Sequence, residues 1–356
     1  MIKPVYQNLL IIYYSGTGNA KRVSEWISEK AKEAGINSTL FSFSQYLKGP
    51  LPTDLPGRTL IGICSATHGF NLPHSALKMI CRFKTAPGSD IFLINTRAGM
   101  KLSQLFLPGL SGLAQIFPAL VLRLKGYRIV AMRPVDLPSN WISLHPGLKQ
   151  KVVNSMVQHW KIKVEKFADD LFIGKRTYWP AFVSLPFDLL VAPLAVGYYF
   201  VGRYILAKTF FASDKCNDCL LCLKACPTKS IILKDNRPFW KLTCESCMHC
   251  MNFCPQRAIE TSHGLVIPLV WLLIAIINPF LSKAILAMFS QYLEPVQWFG
   301  PTFATFFRWI FAIFLFAGTY YLVHYLMHFR PVWRFMSWFT ITRFIFWRRY
   351  HIPGEE

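Results

Sequence analysis

Two runs of cysteine carry the most specific chemistry in this 356-residue chain. The first places cysteines at 216, 219, 222 and 226, the second at 244, 247, 250 and 254, and a proline follows the last cysteine of each. Thiolates are soft ligands suited to iron–sulfur clusters. The repeated spacing Cys-x2-Cys-x2-Cys-x3-Cys-Pro is one that holds [4Fe–4S] cubanes. The repeat outlasts the ligands, since Cys226-Pro-Thr-Lys-Ser-Ile231 matches Cys254-Pro-Gln-Arg-Ala-Ile259, so one cluster-binding unit has been duplicated. Disulfides or two zinc ions could also use eight cysteines. Zinc, however, favours separated CxxC pairs, and the doubled run reads as metal-cluster spacing.

In this pattern the fourth cysteine of each run ligates the other run's cluster. One [4Fe–4S] cluster is therefore expected on Cys216, Cys219, Cys222 and Cys254, and the second on Cys244, Cys247, Cys250 and Cys226. Eight thiolates complete two cubanes, so His249, which lies between ligands, is expected to be merely exposed. Cys64 and Cys81, the remaining two of ten cysteines, read as small buried hydrophobes. Clusters imply a reducing compartment.

A second candidate is the loop Ser15-Gly16-Thr17-Gly18-Asn19-Ala20. It joins an apolar, β-branched run at 8–14 to a helical stretch at 21–35 that stops at Gly35. Amides and hydroxyls in such a loop can surround a phosphate, and the helix start adds favourable charge. Further strands are expected at 38–43, 59–64, 90–95 and 127–135. Helices lie between most of them, as at 74–83, and a long amphipathic helix follows at 146–173. Strands alternating with helices predict an α/β doubly wound parallel sheet. The cysteine module predicts a small α+β domain beside it, followed by α-helical membrane segments.

The glycine loop resembles the phosphate loop of flavodoxins: Ser15, Thr17, Gly18 and Asn19 match, while Ala20 stands where threonine is usual. Lys21 and Arg22 either compensate for that hydroxyl or form a solvated first turn. The resemblance implies FMN, with its phosphate on residues 15–20. It also implies that the ring lies between Ser65-Ala66-Thr67-His68-Gly69-Phe70 and Asn95-Thr96-Arg97-Ala98-Gly99, both read as loops. His68 then either moves protons beside the flavin or is merely solvated. Residues 5–262 as a whole resemble the fused flavodoxin–ferredoxin (EFR-type) proteins. That resemblance implies FMN, two [4Fe–4S] clusters and internal electron transfer, without fixing a substrate. No catalytic acid or base stands out.

Composition turns from the sheet towards the membrane. The chain is 53% hydrophobic, 16% charged and carries a net charge of +21, with basic residues set among aromatics beside apolar spans. That favours an anionic membrane surface over nucleic acid. Residues 264–282 and 309–327 are each near the roughly 20 residues that cross a bilayer, and together make a hairpin. Arginines after it, and few charges in its 283–308 connector, place both ends in the cytoplasm by the positive-inside rule. The beginning of the chain leads into a glycine loop rather than a cleavage site, and so does not read as a secretory signal.

The stretch 181–201 is apolar but holds Asp188 and prolines, and is flanked by Lys175, Arg176, Arg203 and Lys208. It is expected to be interfacial or re-entrant, since a crossing would put the two cofactor domains on opposite sides. The arginine- and aromatic-rich tail is expected in the headgroup region. His324 and His328, one turn apart, suit interfacial packing or a haem or quinone contact.

The expected domains are 1–175 for FMN, a 176–212 linker, 213–263 for the clusters, a 264–329 hairpin and a 330–356 tail. The expected location is the cytoplasmic (inner) membrane, with the cofactor domains on the cytoplasmic side. Expected partners are a soluble electron donor, membrane lipids, and either a lipid-soluble acceptor or a membrane protein partner. The expected function is a membrane-bound iron–sulfur flavoprotein oxidoreductase. The alternatives are an electron-transfer module that docks on a membrane enzyme, or a redox sensor whose flavodoxin half binds nothing.

Overall fold

The structure, a computed structural model, describes residues 4–46, 57–206, 209–289 and 294–350; for residues 205, 206, 289 and 294–300 it describes the backbone alone. Lys208, residues 290–293 of the 283–308 connector and the 351–356 end of the tail lie outside the described residues.

The first domain runs β1 (Asn8–Tyr14), α1 (Asn19–Glu33), β2 (Asn37–Ser42), α2 (Phe43–Tyr46), β3 (Thr59–Ala66), α3 (His74–Arg82), β4 (Asp90–Leu102), β5 (Leu105–Leu107), α4 (Leu113–Leu124), β6 (Arg128–Pro138) and α5 (Gln150–Phe172). The parallel strands lie in the order β2-β1-β3-β4-β6, with β5 as a short antiparallel flap on β4. Discounting that flap, this is the 2-1-3-4-5 order of flavodoxin-like sheets, whose ligand sites open at the carboxyl ends of β1 and β3.

Alternation along β1 explains its position at the centre. Leu9 and Ile11 join one core with Ile27, Val164 and Phe167 from α1 and α5. Leu10 and Ile12 join the other with Ile80 and Leu122 from α3 and α4. Successive strand side chains point to opposite faces, so an unbroken apolar run is what a sheet covered on both sides requires.

One expected loop is strand instead. Asn95–Gly99 continues β4, pairing in register with Pro134–Pro138 of β6. Asn95, Thr96 and Arg97 are buried, and β-pairing satisfies their backbone where a loop would leave it bare.

The second domain pairs β7 (Phe210–Ala212) with β10 (Ile259–Thr261), and β8 (Ile231–Lys234) with β9 (Arg237–Trp240). The short helices α9 (Leu221–Lys224) and α10 (His249–Phe253) carry part of each cysteine run.

Between the domains, α6 (Trp179–Leu190) and α7 (Ala192–Gly197), which a π-helical turn extends to Gly202, meet at a 72° bend. Neither arm reaches the ~30 Å hydrocarbon thickness at ~1.5 Å per helical residue. Asp188, odd in so apolar a stretch, accepts hydrogen bonds from the Ser111 and Gly112 amides at 2.6 and 2.9 Å and from the Ser184 hydroxyl at 2.7 Å. It fastens the bent pair to the loop before α4. The short helix α8 (Arg203–Leu206) follows.

Among the described residues two helices are long and apolar enough to cross a membrane, and the protein is membrane-associated. One combines α11 (His263–Leu272), a π turn and α12 (Asn278–Phe289), giving a span of His263–Met288; the other is Pro301–Leu326 within α13 (Glu294–Leu326). Only 17% of each span's apolar window is buried against protein, leaving the rest for lipid.

The last helix, α14 (Arg330–Trp338), buries Trp333 and Met336 and exposes Phe335 and Trp338, as a helix lying in an interface would. Beyond it the tail leaves that expectation: Trp347, Arg349 and Tyr350 are buried against protein. The Trp347 indole donates to the Ile142 carbonyl at 2.6 Å, and the Arg348 guanidinium to the Gly147 carbonyl at 2.8 Å. A tail that returns to the cofactor domains requires both ends of the hairpin on one side of the membrane.

Candidate functional site

The duplicated cysteine unit is reproduced in the backbone. Asp218 and Leu220 in the first run, and Ser246 and Met248 in the second, all have positive φ near 50–60°, as do Lys229 and Arg257 after the prolines. Left-handed residues alternating with right-handed ones turn successive N–H groups inward, a concavity that suits iron–sulfur sites. The Ser230 amide donates to the Cys226 sulfur and the Ala258 amide to the Cys254 sulfur, both at 3.3 Å. The buried Trp240 indole donates to Cys250 at 3.4 Å.

The thiols sort into two crossed groups. Burial pushes Cys222 up to about 11, with Cys216, Cys254 and Cys219 adding to the rise. Burial likewise raises Cys250, helped by Cys244, Cys247 and Cys226. Each fourth cysteine therefore lies among the first three of the other run. Among the described residues no three His, Cys, Asp or Glu side chains are placed to hold a single metal ion. Eight thiols in two groups of four are a donor set that fits a soft body such as a cubane. Cys219 is exposed whereas Cys250 is buried, so the first group faces outward and the second inward.

Inward here means towards the glycine loop. Gly18 (φ 94°) caps α1, and no side chain caps that helix, leaving its first amides for an anion. Thr17 is buried and its hydroxyl accepts from Asn140. The Asn19 amide donates to the Pro138 carbonyl at 3.1 Å. Ala20 is fully buried, its carbonyl accepting from Ser24 at 2.9 Å and Cys64 at 3.3 Å. Lys21 pairs with Glu25 at 3.6 Å along the exposed helix surface.

A cleft of about 190 Å³ opens beside the loop at the carboxyl edge of the sheet. Asn19, Thr67, Gly69, Thr96 and Arg97 line it, and Trp141 closes it. The expected site residues thus converge, with differences. Asn95 and Arg97 are engaged in holding the floor: Asn95 donates to the Thr67 and Ser111 hydroxyls, and Arg97 pairs with buried Asp136 at 2.6 Å. Ser65 is buried and bonds the Ala66 carbonyl, and Gly99 packs tightly on Asp136. The cleft could hold a flavin through its polar lining and the Trp141 ring, since its charged residue among those described, Arg97, is already paired.

His68 is not solvated. It is 5% exposed, edge-on to Tyr14 and tilted to Trp141, and burial lowers its pKa to about 4. Cys81 is exposed, not buried, whereas Cys64 is buried as expected and pushed up to about 12.

The two domains meet at this site. His249 is not a bystander, since its Nδ1 lies 2.6 Å from the Gly16 carbonyl. A Cβ on Gly16 would stand 2.6 Å from the Cys247 Cβ. Glu245, between two ligand positions, accepts from Tyr14 at 2.7 Å, from the Ser75 amide at 2.6 Å and from the Ser75 hydroxyl at 2.8 Å. The Trp141 indole donates to the Ser246 carbonyl at 3.2 Å. Tyr350, from the far end of the tail, donates to Asn19 Oδ1 at 2.5 Å, and its own amide donates to Asn252 at 2.6 Å. Domains in such contact lie on one side of any membrane.

Residues 215–259 match the family model for the 4Fe-4S dicluster domain. The chain joins a flavodoxin-like domain to a dicluster ferredoxin domain and an apolar helical hairpin. The dicluster match supports an electron-transfer role served by iron–sulfur clusters.

Among solved structures it is similar to oxidised flavodoxin 1 from Bacillus cereus, at 16% identity and a TM-score of 0.29 over 45% of this chain and 97% of that one. It is also similar to an archaeal flavodoxin, at 14% and 0.27 over 46% and 99%. A third similarity is to rubredoxin oxygen:oxidoreductase from Desulfovibrio gigas, at 14% and 0.29 over 46% and 37%. The fold assignment rests on the strand order rather than on these likenesses. No curated protein matches the chain.

Sequence reasoning missed Glu245, which fills a variable position of the second cysteine run, and Trp141, Asn140 and Tyr350, which belong to no motif. Asp188 did leave a signal, as a lone carboxylate in an apolar stretch is retained for a reason.

Proposed function

We propose that this chain is a membrane-bound oxidoreductase that passes electrons between two [4Fe–4S] clusters and FMN, exchanging them with a lipid-soluble partner at the surface of the cytoplasmic membrane. The observation that carries the reading is the packing of Cys247 and His249 onto Gly16. It sets the second cysteine group against the phosphate loop. When bound, the clusters supply single-electron storage and the flavin an exchange between one- and two-electron transfers.

The residues have distinct tasks in this reading. Cys216, Cys219, Cys222 and Cys254 hold the outer cluster, where exposed Cys219 meets a soluble donor. Cys244, Cys247, Cys250 and Cys226 hold the inner one. Ser15 to Asn19 would bind the FMN phosphate, while Thr67, Gly69, Thr96 and Trp141, which line the cleft, would enclose the ring and exclude water. Glu245 and Tyr350 keep the domains in register. The hairpin and the bent pair keep this assembly at the lipid, and the net charge of +21 favours an anionic leaflet.

Anaerobic purification with iron, sulfide and flavin quantified is the direct test. About eight irons and one flavin per chain are expected, and four irons or no flavin would refute it. Purified protein given a reductant should then turn over a lipid-soluble acceptor alone. Turnover that requires a partner protein would reduce the chain to an electron-transfer module.

A further inference from the structure

A second cavity, larger than the cleft beside the glycine loop, lies elsewhere in the described structure. It measures about 390 Å³ and lies in the seam between α3, the end of the bent apolar pair and the second cysteine run. Lys78 and Arg82 reach it from α3, Arg203 and Tyr204 from α8, and Cys244 closes it from the cluster side. Phe43, Tyr46, Met79 and Leu242 supply apolar wall.

Its charge is one-sided. Lys78 and Arg82 form no ion pair among the described residues. Among the described residues the one carboxylate in the wall, Glu245, is occupied by Tyr14 and Ser75. A crevice continues from the cavity past Arg203 to His68 and Tyr198. There His68 Nδ1, the Tyr198 hydroxyl and Arg203 Nε are all buried without a hydrogen-bond partner. Three orphaned polar atoms in one crevice call for a partner, either ordered water or a bound ligand. His68 itself is only 5% exposed.

The same wall leads to the lipid side. Arg203 and Tyr204 follow directly on the apolar arm, whose Phe200 and Leu194 are 66% and 62% exposed. An apolar chain lying along that arm would bring its head group to Arg203.

We propose that this cavity binds an anionic amphiphile, its phosphate-class head held by Lys78, Arg82 and Arg203 and its chain running along the bent apolar pair to the membrane. Guanidinium and ammonium donors suit an oxyanion, and the aromatic and aliphatic wall suits the first part of a chain.

The test uses the full-length protein in a neutral detergent, oxidised, with its iron and flavin content verified. It is titrated calorimetrically with dioctanoyl phosphatidic acid, dioctanoyl phosphatidylcholine or inorganic phosphate. Saturable binding of phosphatidic acid is expected, with the other two weaker by about tenfold or more. Lys78 and Arg82 are exposed, so K78Q and R82Q should fold with full iron and flavin. Each should lose about tenfold in affinity, as loss of a charged hydrogen bond does. R334Q, outside the cavity, should bind as the unaltered protein does. Equal binding of both lipids, unaltered affinity in K78Q and R82Q, or an equal loss in R334Q would overturn the proposal. Inorganic phosphate binding as tightly as phosphatidic acid would overturn the amphiphile and leave a free-oxyanion site.

Discussion

Replacing Gly16 by alanine tests the seam between the flavin loop and the inner cysteine group. Gly16 is not in the left-handed region, so its backbone accepts alanine; only space is lacking. The added Cβ would stand 2.6 Å from both the Cys247 Cβ and the Cys247 carbonyl oxygen. Comfortable separation between carbon atoms is about 3.5–4.0 Å, so the two loops must part by roughly 1 Å. Neither obstacle is the far end of a flexible side chain, so rotation cannot relieve the overlap. Overpacking of this kind costs about 1–3 kcal/mol, equivalent to roughly 5- to 150-fold in an equilibrium. The strain falls on domain docking, because each loop is unaltered within its own domain.

The expected result is full iron and flavin content with flavin–cluster electron exchange slowed by about tenfold or more, followed by stopped-flow absorbance after a reductant pulse. Gly197→Ala, with nothing within 4 Å of its Cβ, should exchange as the unaltered protein does. Unchanged exchange in the Gly16 variant would refute the close seam. Loss of flavin alone would shift the role of Gly16 from docking to ligand contact.

Three further outcomes are expected. Cys254→Ala should abolish the cluster shared with Cys216, Cys219 and Cys222 and leave about four irons; electron paramagnetic resonance that instead loses the signal of the Cys244 group would contradict the crossing. Tyr350→Phe leaves the buried Asn19 Oδ1 without its 2.5 Å donor, a loss of about 1–3 kcal/mol. It should weaken flavin binding several-fold in fluorescence titration, and unchanged affinity would confine the tail to membrane contact. His68 is held near 4 by burial, below its ordinary 6.5, so the unfolded chain takes up a proton that the folded one refuses. Stability should therefore fall by up to about 3 kcal/mol as pH drops from 6.5 to 4. His68→Gln should flatten that part of the melting profile, and an identical slope would place the acid sensitivity elsewhere.

The local patterns were legible for definite reasons. Cluster ligands close in sequence leave a spacing, and β1's unbroken apolar run betrays a strand covered on both faces. Readings failed where distant chain decided the environment. Asn95–Gly99 looks like a loop because polar residues and a glycine follow an apolar strand, yet pairing with β6 keeps it extended. His249 reads as exposed, and solvation is one of the two readings of His68, because nothing nearby in sequence covers them. Tyr14, Trp141 and Tyr198 cover the first, and Gly16 and Phe253 meet the second.

By itself, then, the sequence determined the iron–sulfur cluster module, the α/β alternation and the apolar spans. Each depends on residues within one element or one short run, where covalent spacing already sets geometry. Only the tertiary structure decided which cysteine group faces the flavin loop and that Glu245 and Tyr350 bind the domains together. It also decided that the tail returns to the cofactors. These are contacts between residues hundreds of positions apart, and no periodicity or spacing records them. They exist only because folding two domains and a hairpin together buries surface that none of the three can bury alone.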